Sequence, residues 1–364
     1  MERKILCLVI PSLQPGGMER VMSELAGYFC LRKDLQVHLI LYGREPEIFY
    51  NVADVLLVHR PKTTFNNKFR QLYALGRLFF LRKTIRKIKP HAVLSFGEYW
   101  NSFVLISLLG LSYPVFVSDR CSPEMEFGAF HRLLRKVSYR RAKGIIAQTE
   151  KAKGLYSIQL KNKNITVIGN PIRNIRVRNF TEQKENIVLT VGRLIRTKHH
   201  DRLIEIFSGI SVPGWKLVIV GGDALKQNNM IRLKELIQKL GMNDRVILTG
   251  NQSEVDGYYL KSRIFAFASS SEGFPNVVGE AMSAGLAVVA FDCVAGPGEL
   301  IENGRDGFLV PVFDFEMFRV KLEQLMSNED IRVKLGRQAK NSIMNFSLNI
   351  IGGKYFNFIF NSVN

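Results

Sequence analysis

No run of about 18 consecutive apolar residues occurs in the chain, so no membrane-spanning helix is expected. The longest candidate, residues 103–111, is too short and is interrupted by Ser107 and Gly110. The opening Met-Glu-Arg-Lys leads into a strand-length apolar run, then Pro11 and a glycine pair. The longer apolar core and small-residue cleavage site of a secretory leader are missing. Cysteine is sparse: Cys7, Cys30, Cys121 and Cys293 stand at no metal-ligand or redox spacing. That scatter points to a reducing compartment and argues against a zinc site. The first glycine-rich turn lacks Gly-x-Gly-x-x-Gly, which counts against a dehydrogenase. Asp-x-Asp is absent throughout, and residues 61–90 contain no acidic residue at all.

What is present is a globular composition: 364 residues, 46% of them hydrophobic. The length suggests two domains, each large enough for its own core. The net charge of +19 is unevenly spread. Residues 1–173 hold 28 Lys and Arg against 12 Asp and Glu; the remaining residues hold 23 against 20. Such asymmetry points to a polyanionic surface, nucleic acid or anionic lipid, facing the first half.

Short apolar runs alternate with helical patterns in both halves. Strands are expected at residues 4–10, 36–42, 91–96, 114–118, 144–149 and 165–168, then at 187–191, 216–220, 245–250, 264–269 and 286–291. Helices are expected from Met18 to about Cys30, from about His200, and over 230–240, 315–326 and 350–360. The alternation predicts two doubly wound, Rossmann-like α/β domains around a central cleft. The division is placed at 1–173, a polar aperiodic linker at 174–184, a second domain at 185–345, and a final segment at 346–364.

Two stretches of the first half are basic and acid-free. In residues 61–90, Lys62, Lys68, Arg70, Arg77, Arg82, Lys83, Arg86, Lys87 and Lys89 interleave with Phe65, Phe69, Leu72, Leu75, Phe79 and Ile85. In residues 130–143, Arg132, Arg135, Lys136, Arg140 and Lys143 recur at three to four residues. Each reads as a basic amphipathic helix, either packed on the core with a solvated face or docked on an anionic leaflet. Each Lys or Arg near such a leaflet contributes on the order of 1 kcal/mol. The membrane is favoured over nucleic acid because no nucleic-acid module accompanies the basic faces.

The densest chemistry lies at Glu272-Gly273-Phe274-Pro275-Asn276-Val-Val-Gly-Glu280, between the strands at 264–269 and 286–291. One carboxylate falls in the loop and one about a turn into the following helix. In an open parallel sheet that edge binds ligands, and a helix N-terminus there suits a phosphate. This Glu-x7-Glu resembles the signature of retaining glycosyltransferases of family GT4, which have the GT-B fold. Gly16-Gly17-Met-Glu-Arg20, Gly192-Arg193-x4-Lys198 and the turn-rich segments 296–299 and 303–310 are similar to GT4 segments too.

The resemblance implies transfer of a sugar from a nucleotide donor to an acceptor hydroxyl with retained anomeric configuration. Arg193 and Lys198 would contact the donor diphosphate, Glu280 the ribose, and Glu272 the sugar. Gly273, Phe274, Pro275 and Asn276 would add backbone contacts, with Gly16 and Gly17 beside the donor. The strand of Arg245 and Gly250 would end at the base. GT4 enzymes often carry a histidine where this chain has Ser118-Asp119-Arg120, so Asp119 and Arg120 become the candidates to face sugar or acceptor. The donor is a substrate, UDP-sugar on family frequency with GDP left open, and no cofactor or metal is expected. Arg77, Arg82, Lys83, Arg86, Lys87, Arg132, Arg135, Lys136 and Arg140 are the candidates for a lipid-linked polyprenyl-diphosphate acceptor and an anionic membrane. That places the enzyme in bacterial surface glycan assembly, cytoplasmic and peripheral on the inner membrane. Two alternatives stay open: a soluble GT-B enzyme with a small acceptor, and a nucleic-acid-binding protein using the basic face.

Overall fold

The computed structural model describes residues 3–44, 48–62, 70–175, 183–224 and 227–362. The chain divides into two compact units, Met1–Pro171 with Leu348–Asn364, and Ile172–Ser347. Of the basic stretch at 61–90, Phe65, Lys68 and Phe69 lie outside the described residues, as do residues 176–182 of the expected linker.

The first unit runs β1 (Lys4–Ile10), α1 (Gly17–Cys30), β2 (Leu35–Leu41), β3 (Leu57–His59), α2 (Arg70–Ile88), β4 (Ala92–Phe96), α3 (Glu98–Ser107), β5 (Val115–Ser118), α4 (Ala129–Ser138), β6 (Gly144–Ala147), α5 (Glu150–Gln159) and β7 (Ile165–Val167). Its sheet has the order β3-β2-β1-β4-β5-β6-β7, and the paired strands are parallel. The second unit runs β8 (Ile187–Val191), α6 (His200–Ser208), β9 (Lys216–Val220), α7 (Asn229–Lys239), β10 (Val246–Gly250), α8 (Asp256–Lys261), β11 (Ile264–Phe267), α9 (Asn276–Ser283), β12 (Ala287–Phe291), β13 (Phe308–Val310), α10 (Phe315–Ser327) and α11 (Glu329–Ser342). Its parallel sheet has the order β10-β9-β8-β11-β12-β13.

Strand runs are continuously apolar because both faces of each sheet are covered. In the second unit the pleat divides them between two cores. Val188, Ala266 and Val289 join one cluster, and their strand neighbours Leu189, Phe265 and Val288 join the other. Some helix starts carry side-chain caps: Thr149 accepts from Ala152 N–H, Asp314 from Met317 N–H, and Asn328 from Ile331 N–H. The last of these opens α11, a helix the sequence reading omits, and β3 is likewise an addition.

The acid-free helices place their residues otherwise than a basic amphipathic pattern suggests. In α2, Leu81 and Ile85 are buried, and Arg77 occupies the same stripe at 5% exposure. Its guanidinium lies 4.1 Å from the Tyr73 ring centroid. Leu72, Leu75 and Phe79 face outward. In α4, Arg135 is buried while Phe130, Leu133 and Val137 are exposed. Arg77 and Arg135 are therefore not surface cations. Arg82 is half-buried and donates to the carbonyls of Ser107 (3.2 Å) and Leu109 (2.6 Å), where a cation suits the C-terminal end of α3. Lys83, Arg86, Lys87, Arg132, Lys136 and Arg140 are exposed.

After α11 the chain returns to the first unit as α12 (Leu348–Asn361), which packs on α1. The approach depends on Gly352. A Cβ there would stand 2.5 Å from Cδ1 of the Tyr28 ring. Gly352→Ala is expected to lower unfolding free energy by about 1–3 kcal/mol, the usual cost of overpacking, with urea denaturation as the readout. An unchanged midpoint would mean that α12 is not held against α1.

Candidate active site

The order of the second sheet reverses between β8 and β11. At such a point the connections leave toward opposite faces and open a crevice at the carboxyl ends of the strands. The loop after β8 carries Arg193 and Lys198; the loop after β11 carries Glu272 and the start of α9. Lys198 Nζ meets Glu272 Oε1 at 2.5 Å, and lies 4.9 Å from the Phe267 ring centroid. The two loops are fastened to each other: Ser270 N–H donates to Thr197 O at 2.9 Å, and His199 Nε2 lies 2.9 Å from Ser270 Oγ. Arg193 is exposed, and borders a cavity of about 650 Å³ lined also by Arg196, Asn228 and Asn229.

Pro275 precedes α9 and Asn276 opens it. Gly279 lets the helix lie against Ile172, because a Cβ there would stand 2.6 Å from Ile172 Cδ1. One turn in, Glu280 accepts from Arg173 Nε at 3.1 Å and from Tyr259 O–H at 3.1 Å. Arg173 also pairs with Asp256 at 3.0 Å. Burial of the Cys293 thiol, with the Glu272 charge as a second cause, pushes its pKa up to about 12. That thiol is protonated at neutral pH and is no nucleophile.

In the first unit the glycine pair joins β1 to α1. Gly16 N–H donates to Tyr50 Oη at 2.9 Å, and Tyr50 O–H donates back to Gly16 O at 2.8 Å. Gly17 is the first residue of α1. After β5, Asp119 is 1% exposed. Its carboxylate accepts from Arg135, from Tyr139 O–H and from Asn101 Nδ2. Arg120 donates to Asn170 Oδ1 and to Tyr355 Oη, and lies 3.5 Å from the Phe96 ring centroid. Glu98 accepts from the backbone N–H groups of Arg120 and Cys121. Burial first, and the Asp119 charge second, raise its pKa.

Residues 15–174 match the family described as Glycosyltransferase Family 4, and residues 171–342 match Glycosyl transferases group 1. The chain belongs to the GT4-type glycosyltransferases. This glycosyltransferase is 29% identical over 346 residues to the amylovoran biosynthesis glycosyltransferase AmsD of Erwinia amylovora, covering 92% of this chain and 93% of that one. It is 27% identical over 352 residues to a Campylobacter jejuni enzyme named N-acetylgalactosamine-N,N'-diacetylbacillosaminyl-diphospho-undecaprenol 4-alpha-N-acetylgalactosaminyltransferase, covering 92% and 93%. Among solved structures, a glycosyltransferase from Rickettsia africae aligns over all of both chains with a TM-score of 0.83 at 19% identity. Anabaena HepE in complex with UDP aligns over 97% and 98% with a TM-score of 0.79 at 19% identity. The fold is GT-B, as the resemblance implied, built from the two doubly wound units that the alternation of strand and helix predicts.

Several expected site residues of the glycosyltransferase come together and others do not. Lys198 and Glu272 meet, with Arg193, Gly273, Phe274, Pro275, Asn276 and Glu280 on the same two crossovers. Gly250 ends β10 at the same sheet edge, in a left-handed conformation (φ 72°). Arg245 does not join them. It precedes β10 at the opposite end of the strand, with its guanidinium 4.9 Å from the Phe207 ring centroid. Asp119 does not join them either: its carboxylate is buried and takes up Arg135, Tyr139 and Asn101. Arg173 and Tyr259, both on Glu280, were not legible in advance; neither stands at helical or strand spacing from Glu280.

Removing one partner of a buried pair leaves an uncompensated charge, a loss of about 3–5 kcal/mol. Asp119→Ala is expected to show that loss in equilibrium unfolding while leaving the affinity for nucleotide unchanged. Weakened nucleotide binding with intact stability would return Asp119 to the list of ligand contacts. His200, 4% exposed at the start of α6, yields a pH test. Burial, and then the Lys198 charge, lower its pKa from 6.5 to about 4. The unfolded chain therefore binds the extra proton first, and stability falls as pH drops from about 6.5 toward 4. Between pH 7 and pH 5 the stability difference between wild type and His200→Leu should shift by roughly 2 kcal/mol toward the variant. A parallel pH dependence in both proteins would contradict this.

Proposed function

We propose that the chain is a retaining glycosyltransferase that moves a sugar from a nucleotide donor, a UDP-sugar, to a lipid-linked polyprenyl-diphosphate oligosaccharide in bacterial surface glycan assembly. The observation that carries the reading is the Lys198–Glu272 pair at the β8–β11 reversal. It puts a cation, a carboxylate and a helix N-terminus at one sheet edge. Charge grows on the leaving diphosphate as the glycosidic bond breaks. Arg193, Lys198 and the positive end of the α9 dipole are the groups available to stabilise it, with no divalent ion required. An arriving phosphate competes with Glu272 for Lys198, which frees the Glu272 carboxylate to accept from sugar hydroxyls. Glu280 takes the ribose hydroxyls, held at its post by Arg173 and Tyr259.

Retention with no protein nucleophile proceeds by attack on the face that the leaving group departs from. The two glutamates are accordingly not a glycosidase pair. The diphospho-undecaprenol in the name of the Campylobacter relative supports the lipid-linked acceptor, and the UDP held by HepE supports the nucleotide. The first unit supports an anionic, cytoplasmic membrane face. Its outward Leu72, Leu75, Phe79, Phe130, Leu133 and Val137 lie beside Lys83, Arg86, Lys87, Arg132, Lys136 and Arg140, the composition of an interfacial surface.

The test is release of nucleoside diphosphate from a panel of UDP- and GDP-sugars. It is run with and without lipid-linked oligosaccharide in anionic vesicles, with chelator, and with the anomeric configuration of the product assigned. Wild type should release UDP from one donor, faster with the lipid acceptor, indifferent to chelator and with retention. Glu272→Ala and Lys198→Ala should each lower kcat by about 100- to 1000-fold, the usual loss for a group acting on transition-state charge. Release indifferent to the lipid acceptor would remove the acceptor, and an inverted product would remove the mechanism.

A further inference from the structure

The first unit contains a cavity of about 480 Å³ that the donor site does not use, a volume within the range of small-molecule sites. It opens at the carboxyl ends of β1 and β2, and is lined by Pro11 and Ser12, by Tyr42, Gly43 and Arg44, and by side chains of α2 and α3. Its walls are aromatic: Tyr42, Tyr73, Trp100 and Phe103. Tyr42 stacks on Phe103 at 5.5 Å between centroids and meets Trp100 edge-on at 6.3 Å. Tyr73 O–H donates to Gly43 O at 2.9 Å and so bridges α2 to the β2 end.

Two polar features do not fit a mere packing defect. Arg77, 5% exposed, places a guanidinium in the cavity wall, 4.1 Å from the Tyr73 ring centroid. Tyr42 is 3% exposed, and its hydroxyl has no hydrogen-bond partner among the described residues. A buried hydroxyl left unsatisfied is destabilising unless something arrives to accept from it. Among the described residues the lining contains no carboxylate and no side-chain amide, the groups that ordinarily take up the many hydroxyls of a sugar. Aromatic walls around a guanidinium and a spare O–H donor suit an apolar chain that ends in an anionic, hydrogen-bond-accepting group.

We propose that this cavity seats the junction between isoprenoid and diphosphate of a lipid-linked acceptor, with the first isoprene units against the aromatic walls and a phosphate oxygen accepting from Arg77 and Tyr42. The proposal rests on the lipid-linked acceptor reading above and names where that lipid is held. Leu72, Leu75 and Phe79 face away from the cavity on the other side of α2, so the helix separates a surface facing outward from a pocket facing inward.

Farnesyl diphosphate, a water-soluble isoprenoid diphosphate, is titrated calorimetrically into the full chain, with farnesol and inorganic pyrophosphate as separate arms. Saturable binding at least about tenfold tighter than either fragment is expected, because the site grips both ends. Tyr42→Phe should weaken it roughly five- to tenfold with a melting temperature equal to or above wild type, since an unsatisfied donor has been removed. Ala74→Phe at the mouth should abolish binding, and Leu75→Ser on the outward face should leave it unchanged. Affinity no better than farnesol, affinity unaltered in both Tyr42→Phe and Ala74→Phe, or binding lost in Leu75→Ser would each overturn the proposal. The wider reading fails differently: tight farnesyl diphosphate binding without lipid-stimulated sugar transfer would sink the lipid acceptor and leave the pocket standing. UDP titrated into the same variants reports the second unit separately and should be unaffected.

Discussion

The reversal of strand order is the constraint on which the candidate chemistry depends. In a parallel sheet each strand hands over to a helix at its carboxyl end, and successive connections crowd that edge. Only where the order reverses do neighbouring connections part and leave room for a ligand. In the second unit that place lies between β8 and β11. Lys198 and Glu272 are 74 positions apart in the chain and 2.5 Å apart in space. Neither residue is notable alone; the topology makes them a pair. The first sheet reverses between β1 and β4, and there Met18 near the start of α1 lies against Gly97, where a Cβ would stand 3.1 Å from Met18 Sδ.

Two ion pairs in this chain have opposite characters. Asp119 and Arg135 are both almost fully removed from water, and further donors close around the carboxylate. Their attraction repays a large desolvation cost only while both are present, which makes the pair a fastening between β5 and α4. Lys198 and Glu272 retain more access to solvent, with side-chain exposures of 16% and 14%. Each can exchange its partner for a ligand group of the same charge type at modest cost. The Lys198–Glu272 pair keeps some access to solvent at a sheet edge and beside a helix N-terminus, whereas the Asp119–Arg135 pair is sealed in a core.

Much of the architecture was legible because the physical rules act locally. Buried parallel strands read as unbroken apolar runs, and the glycine and proline punctuation around α9 bounds it to within a residue or two. The Glu-x7-Glu spacing sets one carboxylate before a helix and one a turn inside it, which is where Glu272 and Glu280 stand. Direction along a strand was harder. Arg245 and Gly250 flank the same strand, and only the carboxyl end faces the crevice, so naming both joined two opposite edges of the sheet. The Asp119 reading failed for a different reason. Its partner Arg135 belongs to the cationic row of a helix whose basic face was expected to lie outward, and no spacing rule links a strand end to a residue sixteen positions later.

That helix and α2 expose a limit of periodicity itself. A pattern of apolar residues every three or four positions shows that a helix has an apolar stripe, not which way the stripe faces. In α2 there are two: Leu81 and Ile85 inward, and Leu72, Leu75 and Phe79 outward. Their directions oppose, and the amphipathic signal cancels although the helix is strongly sided. Scattered exposed apolar residues need no explanation. Outward stripes on α2 and α4, which both flank α3 and are bordered by exposed Lys and Arg, are a different matter. A water-facing helix gains nothing from Phe79 or Phe130 where Lys or Glu would serve, whereas a helix resting on an anionic leaflet gains from both the rings and the cations. Burying Arg77 and Arg135 meanwhile moves two charges away from that surface and into the protein interior. One closes a core with Asp119; the other charges the wall of an aromatic cavity. The surplus of positive charge in the first half of the chain is therefore divided among a buried ion pair, a cavity wall and exposed helix faces, and a net charge cannot tell them apart.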